Sequence, residues 1–86
     1  MSIRVRAVET SPKGLLRVSF VNGEIRIFDL QPYLNKGVFR ELKKNAYLKK
    51  VRIISGGIEW PHHQDLSADT LYARGVPDVK NRSVFA

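Results

Sequence analysis

The dipeptide Asn22-Gly23, set between two apolar-alternating runs, constrains this chain more than any other feature. Leu15–Phe20 precedes it and residues 24–30 follow, both with period two, and Asn-Gly between alternating runs is the strongest short-range hairpin signal. A two-residue type I′ loop would pair Val21 with Glu24, Phe20 with Ile25, Val18 with Ile27 and Arg17 with Phe28. Upstream, Ile3, Val5 and Ala7 alternate with Arg4, Arg6 and Val8, so residues 3–9 read as a further strand. The turn Ser11-Pro12-Lys13-Gly14, pairing Glu9 with Gly14, would join it to the second. The expectation is a three-stranded antiparallel meander. One face would be wholly apolar (Ile3, Val5, Ala7, Leu16, Val18, Phe20, Ile25, Ile27). The other would gather Arg4, Arg6, Arg17 and Arg26 at one end and Val8, Leu15, Phe28 and Leu30 at the other. Arg6 directly opposite Arg17 is a like-charge pair. It fits an anion site, such as one for a phosphate backbone, or arginines splayed into solvent over apolar neighbours, which is the commoner use.

Residues 31–37 read as an irregular link with one turn of helix. Residues 38–44 read as a short amphipathic helix, with Val38, Phe39 and Leu42 on its inner side and Lys36, Arg40, Lys43 and Lys44 on a basic stripe. Asn45 interrupts it and starts another turn through Leu48. A second hairpin follows, residues 51–54 and 57–60, joined through Ser55-Gly56, and Pro61 ends its strand because proline cannot donate to a ladder. Ser67 is a suitable N-cap for a helix over residues 68–73, with Asp69 in its first turn, Leu71 and Tyr72 on its buried side and Gly75 beyond its end. Residues 1–75 are read as a single α+β domain and residues 76–86 as a tail or an added strand, with Val84-Phe85 needing a place to dock.

Eighty-six residues leave no room for a second core, and a domain this size buries only about 60% of its unfolded surface, so a protein partner is expected, with the chain itself a monomer or a weak homodimer. The absence of cysteine removes disulfides, thiolate metal sites and cysteine nucleophiles, and is compatible with a cytoplasmic location. The charged, alternating N-terminus resembles neither a signal peptide nor an anchor, and no apolar run approaches the roughly 20 residues of a membrane span. Fifteen Lys and Arg against eight Asp and Glu give a net charge of +7, which favours an anionic partner.

No motif for catalysis emerges. Adjacent His62 and His63 on extended backbone point in opposite directions, which suits one metal ion poorly, and His63 with Asp65 lacks a nucleophile in any recognisable arrangement. Asp65 is expected to bond backbone N–H groups before the last helix, and Trp60 to anchor the core with its indole N–H on a carbonyl. Neither a metal nor another cofactor is expected. There is no phosphate-binding glycine loop, zinc finger, helix-turn-helix pair or RNA-binding aromatic motif.

Phe20-Val21-Asn22-Gly23-Glu24, Asp29-Leu30, Gly37-Val38-Phe39 with Leu42, Ile58-Glu59-Trp60-Pro61, and Asp65-Leu66 followed by Leu71-Tyr72 occur in an order and spacing that resemble a bacterial family known as domain of unknown function 2442. The resemblance covers roughly residues 3–73. Asn22, Gly23, Trp60, Pro61, Asp65, Leu71 and Tyr72 carry its signature. It implies a small α+β fold, found in some relatives as the N-terminal half of a chain ending in a helix-turn-helix, and no catalytic residues. It also implies a frequent gene neighbour, an arrangement suggestive of toxin–antitoxin pairs. The functional expectation is a non-catalytic module that binds a protein partner, antitoxin-like in such a pair. The alternative is nucleic-acid binding through Arg4, Arg6, Arg17 and Arg26, or through Arg40, Lys43 and Lys44.

Overall fold

The computed structural model describes residues 3–78. In chain order it comprises β1 (Val5–Ser11), β2 (Leu15–Phe20), β3 (Ile25–Asp29), 3₁₀ segments Gln31–Tyr33 and Gly37–Lys43, α1 (Asn45–Leu48), β4 (Arg52–Ile54), β5 (Gly57–Glu59), β6 (Asp65–Leu66), α2 (Ala68–Arg74) and β7 (Val76–Pro77). Two antiparallel sheets result, one in the order β1-β2-β3-β7 and one in the order β4-β5-β6, so the α+β expectation holds. No helix of the described residues is long and apolar enough to cross a membrane.

The meander forms, but its register differs from expectation at both turns. At Asn22-Gly23 only Gly23 has positive φ (+92°), whereas a type I′ loop needs it at both central residues. Asn22 instead accepts a hydrogen bond from the Glu24 N–H through its own Oδ1 (2.9 Å). The Gly23 N–H bonds Phe20 O at 3.0 Å and the Phe20 N–H bonds Glu24 O at 2.9 Å, so the loop has three residues. Leu16 therefore faces Phe28 and Val18 faces Arg26, one residue away from the expected pairing. A one-residue slip exchanges the faces of a strand. Phe28, expected outside, is 1% exposed in the core, while Ile25 and Ile27 lie half-buried on the other face.

The first hairpin also closes through three residues, Pro12 to Gly14, with Ser11 opposite Leu15 and Glu9, not Arg6, opposite Arg17. This register would aim Arg6 at the core beside Phe20. A bulge between Val5 and Ala7 prevents that, setting Val5 opposite Phe20 and leaving Arg6 and Ala7 exposed.

Residues 37–43 wind as 3₁₀, not α. At three residues per turn Phe39 and Leu42 align inward, and Val38, expected on the inner side, stands 64% exposed. The type I′ geometry occurs in the second hairpin, at Ser55 (φ 51°) and Gly56 (φ 82°). After Pro61 the chain turns back, with the His63 N–H on Trp60 O and the Trp60 N–H on Gln64 O (both 2.9 Å), and adds β6, a strand absent from the sequence reading. Ser67 caps α2 by accepting from the Thr70 N–H at 3.2 Å, as expected. The tail-or-strand alternative resolves for Val76–Pro77, which pair with β3. Residues 79–86, including Val84 and Phe85, lie outside the described residues. Trp60, Phe20, Phe28, Leu16 and Leu71 form the centre of one core under both sheets and α2.

Candidate functional site

The four arginines grouped by the sequence do not share a face. Arg26 lies under the C-terminal end of α2, with its guanidinium 3.8 Å from the centre of the Tyr72 ring, Nη1 donating to Tyr72 O (2.9 Å) and Nη2 2.8 Å from Glu24 Oε1. The hydroxyl of Tyr72 also donates to Glu24. That hydroxyl first, and Arg26 second, hold the Glu24 carboxyl below the ordinary carboxylate range. Arg26 is thus a structural residue, and the slip in register is the cause. Arg17 faces Glu9 across the strands and its Nε lies 3.2 Å from Asp78. Arg6 occupies the bulge, and Arg4 packs over Gly56 at the tip of the second hairpin.

The cations that remain outward are concentrated elsewhere. Between positions 36 and 52 lie seven of the fifteen Lys and Arg but one of the eight acids, Glu41, so this segment carries +6 of the net +7. Arg40 and Lys43, three residues apart on the 3₁₀ segment, project together, and Lys44, Lys49 and Lys50 extend the exposed basic surface around α1. Arg40, Lys43, Lys49 and Lys50 have no ion pair among the described residues. Val38, on the same 3₁₀ segment as Arg40 and Lys43, is also exposed.

A 3₁₀ segment has poorer internal hydrogen bonding than an α-helix and rarely runs this long unaided. Here the turn after β5 clamps it. Gln64, 1% exposed, donates through Nε2 to Val38 O (2.8 Å) and to Glu41 (2.9 Å) and accepts from the Tyr47 hydroxyl (2.6 Å). Tyr47 in turn accepts from the His62 N–H (2.9 Å) and stacks on the His62 ring. His62 Nδ1 lies 2.8 Å from both oxygens of Glu41, and this hydrogen bond is the main cause that lowers the Glu41 pKa, with Gln64 adding to it against the opposing effect of burial. The indole N–H of Trp60 bonds Leu48 O at 2.9 Å. Residues 60–64 therefore hold the basic segment at positions 38, 41, 47 and 48.

His62 and His63 engage different carboxylates, Glu41 and Glu59, on diverging sides of the turn. Among the described residues no group of three or more His, Cys, Asp or Glu is gathered as a metal site would require. Asp65, expected to shape the turn, sits exposed on β6 opposite Glu59, and the turn is shaped by Gln64. Gln64, Glu41 and Tyr47 were missed because each is an ordinary polar residue in sequence and becomes a network only when residues 17 to 26 positions apart meet.

No curated protein and no solved structure matches the chain. Residues 5–77, spanning both sheets, the clamp and the basic segment, match the family described as protein of unknown function (DUF2442). The chain therefore belongs to that family, as its Asn22-Gly23, Trp60-Pro61 and Leu71-Tyr72 elements led us to expect.

Proposed function

We propose that this domain is a non-catalytic binding module that presents the clamped segment 36–52 to an acidic surface of a protein partner, as the antitoxin-like member of a cytoplasmic gene pair. The observation that carries the reading is the confinement of +6 of the net charge to one clamped segment that also exposes Val38. Charges so arranged steer association and set its specificity, while an exposed apolar side chain on the same segment supplies area that charge alone lacks.

Nucleic acid is the second reading, favoured by the same charge. Two features weigh against it. The described α-helices have four and seven residues, too short to serve as a groove-reading helix. The rings near the basic segment are engaged with one another, Tyr33 between Phe28 and Phe39 and Tyr47 on His62, which leaves little for base stacking.

Co-expression with the product of the adjacent gene, followed by size-exclusion chromatography, tests the proposal. A complex that is lost in Val38→Glu and in Arg40→Glu/Lys43→Glu supports it, and recovery of free monomer alone counts against it. For nucleic acid, the affinity of a duplex or single strand should fall linearly in log-log terms with salt, at a slope close to the number of phosphates neutralised, and the Arg40/Lys43 variant should flatten it.

A further inference from the structure

We propose that the cavity between the β1–β2 turn and the start of α1 is an anchor pocket for one acidic residue of the partner, an inference that rests on the acidic-protein reading above. The cavity, about 290 Å³, is walled by Lys13 and Gly14 of the turn, Gln31 and Leu34 of the first 3₁₀ region, and Lys43 and Asn45 at the end of the basic segment. It joins the basic segment to Lys13, the cation of the β1–β2 turn.

Three features define what it takes. Lys13 and Lys43 border the cavity from different elements, and neither has an ion pair among the described residues, so its rim carries two cations with no carboxylate partner. Asn45 opens α1 without capping it, its Oδ1 is buried with no donor, and its side chain makes no hydrogen bond among the described residues. A buried amide left unpaired is costly to the fold and calls for an explanation, and a ligand that supplies the missing partner is one. Leu34, Leu42 and Leu48, all buried, form an apolar base. The wall is held in place, because Gln31 Nε2 already donates to Lys13 O at 2.9 Å.

A glutamate in an extended segment meets all three. Its carboxylate takes the two ammonium groups, its methylenes cover the leucines, and a neighbouring main-chain N–H satisfies the Asn45 amide once that side chain turns toward the cavity. A phosphate group would satisfy the lysines but brings neither an apolar stem nor an amide donor.

The test uses amide NMR of the full chain titrated with a short capped peptide of alternating glutamate and valine. The same peptide with glutamine for glutamate, inorganic phosphate and oligothymidylate serve as parallel probes. The glutamate peptide should shift Gly14, Lys43 and the side-chain amide of Asn45 saturably, and the glutamine peptide should not. Lys13→Gln, outside the 36–52 segment, should weaken binding about tenfold, the effect of losing one charge-assisted hydrogen bond. Asn45→Ala should weaken binding while leaving Tm unchanged or higher, because it removes an orphaned group; a lowered Tm would instead assign Asn45 a structural role and overturn its part. If Lys13→Gln binds as well as wild type, or the shifts are confined to residues 36–52, the pocket is refuted and the acidic-partner reading stands. If phosphate alone reproduces the shifts, the occupant is a phosphate group and the proposal fails. Binding of oligothymidylate without the glutamate peptide would overturn both the pocket and the reading beneath it.

Discussion

Replacing Gln64 by leucine tests whether the basic segment is held by the clamp. Gln64 and leucine have similar bulk, so the change leaves no large cavity and acts through hydrogen bonds. It removes the bonds to the Tyr47 hydroxyl and to Val38 O, 2.6 and 2.8 Å long, together with the donor to Glu41. At about 0.5–1.5 kcal/mol for each neutral bond, and with the Tyr47 hydroxyl left half-buried and short of an acceptor, the loss comes to about 2–3 kcal/mol. A chain of 86 residues has roughly 4–13 kcal/mol of total stability, so this is a substantial fraction, worth a fall in Tm of about 8–24 °C. Thermal unfolding followed by circular dichroism would measure it. Tyr47→Phe in the same background removes the partner, so the double variant should lose less than the sum of the singles by about 1 kcal/mol. Hydrogen exchange at Phe39 and Lys44, whose N–H groups bond Lys36 O and Glu41 O, should accelerate in Gln64→Leu. A loss below about 0.5 kcal/mol, strict additivity, or unchanged exchange at those amides would refute the clamp.

Other perturbations follow from the same structure. Gly57→Ala would set a Cβ 2.7 Å from the backbone Leu66 O, so β5 and β6 must separate, and a loss of about 1–3 kcal/mol in denaturant unfolding is expected. Gly23→Ala meets no atom within 4 Å and should cost only the strain of positive φ, about 1 kcal/mol. Similar losses in the two variants would contradict the steric account. The Glu24 carboxyl is held below its unfolded value near 4.5, chiefly by the Tyr72 hydroxyl and then by Arg26. A depressed carboxylate contributes stability above its unfolded pKa that is lost as pH falls through the folded one. Tm should therefore decline below about pH 4.5, and less steeply in Glu24→Gln; an unaltered acid limb in that variant would refute the coupling. Arg26→Met should lower Tm, whereas Arg6→Met should leave it nearly unchanged, because only the former removes the guanidinium that bridges Glu24 and Tyr72 O.

The alternation of residues 3–30, the capping Ser67 and the indole of Trp60 determined an antiparallel meander, a C-terminal helix and the anchor of the core, because each rests on chemistry within a few positions of the chain. Register did not follow. Asn22-Gly23 permits both a two-residue and a three-residue loop at similar local cost, and the choice was made by burial of Phe28 against Leu16 and by α2 closing over Arg26. One trace of this was legible: the apolar positions of β1 shift phase from Val5 to Val8, which is what the bulge at Arg6 accommodates. The basic stripe of Arg40 and Lys43 could be read from spacing, but its 3₁₀ winding, the exposure of Val38 and the clamp from Gln64 could not. Those depend on contacts between residues far apart in the chain, and only the closed tertiary structure brings them together.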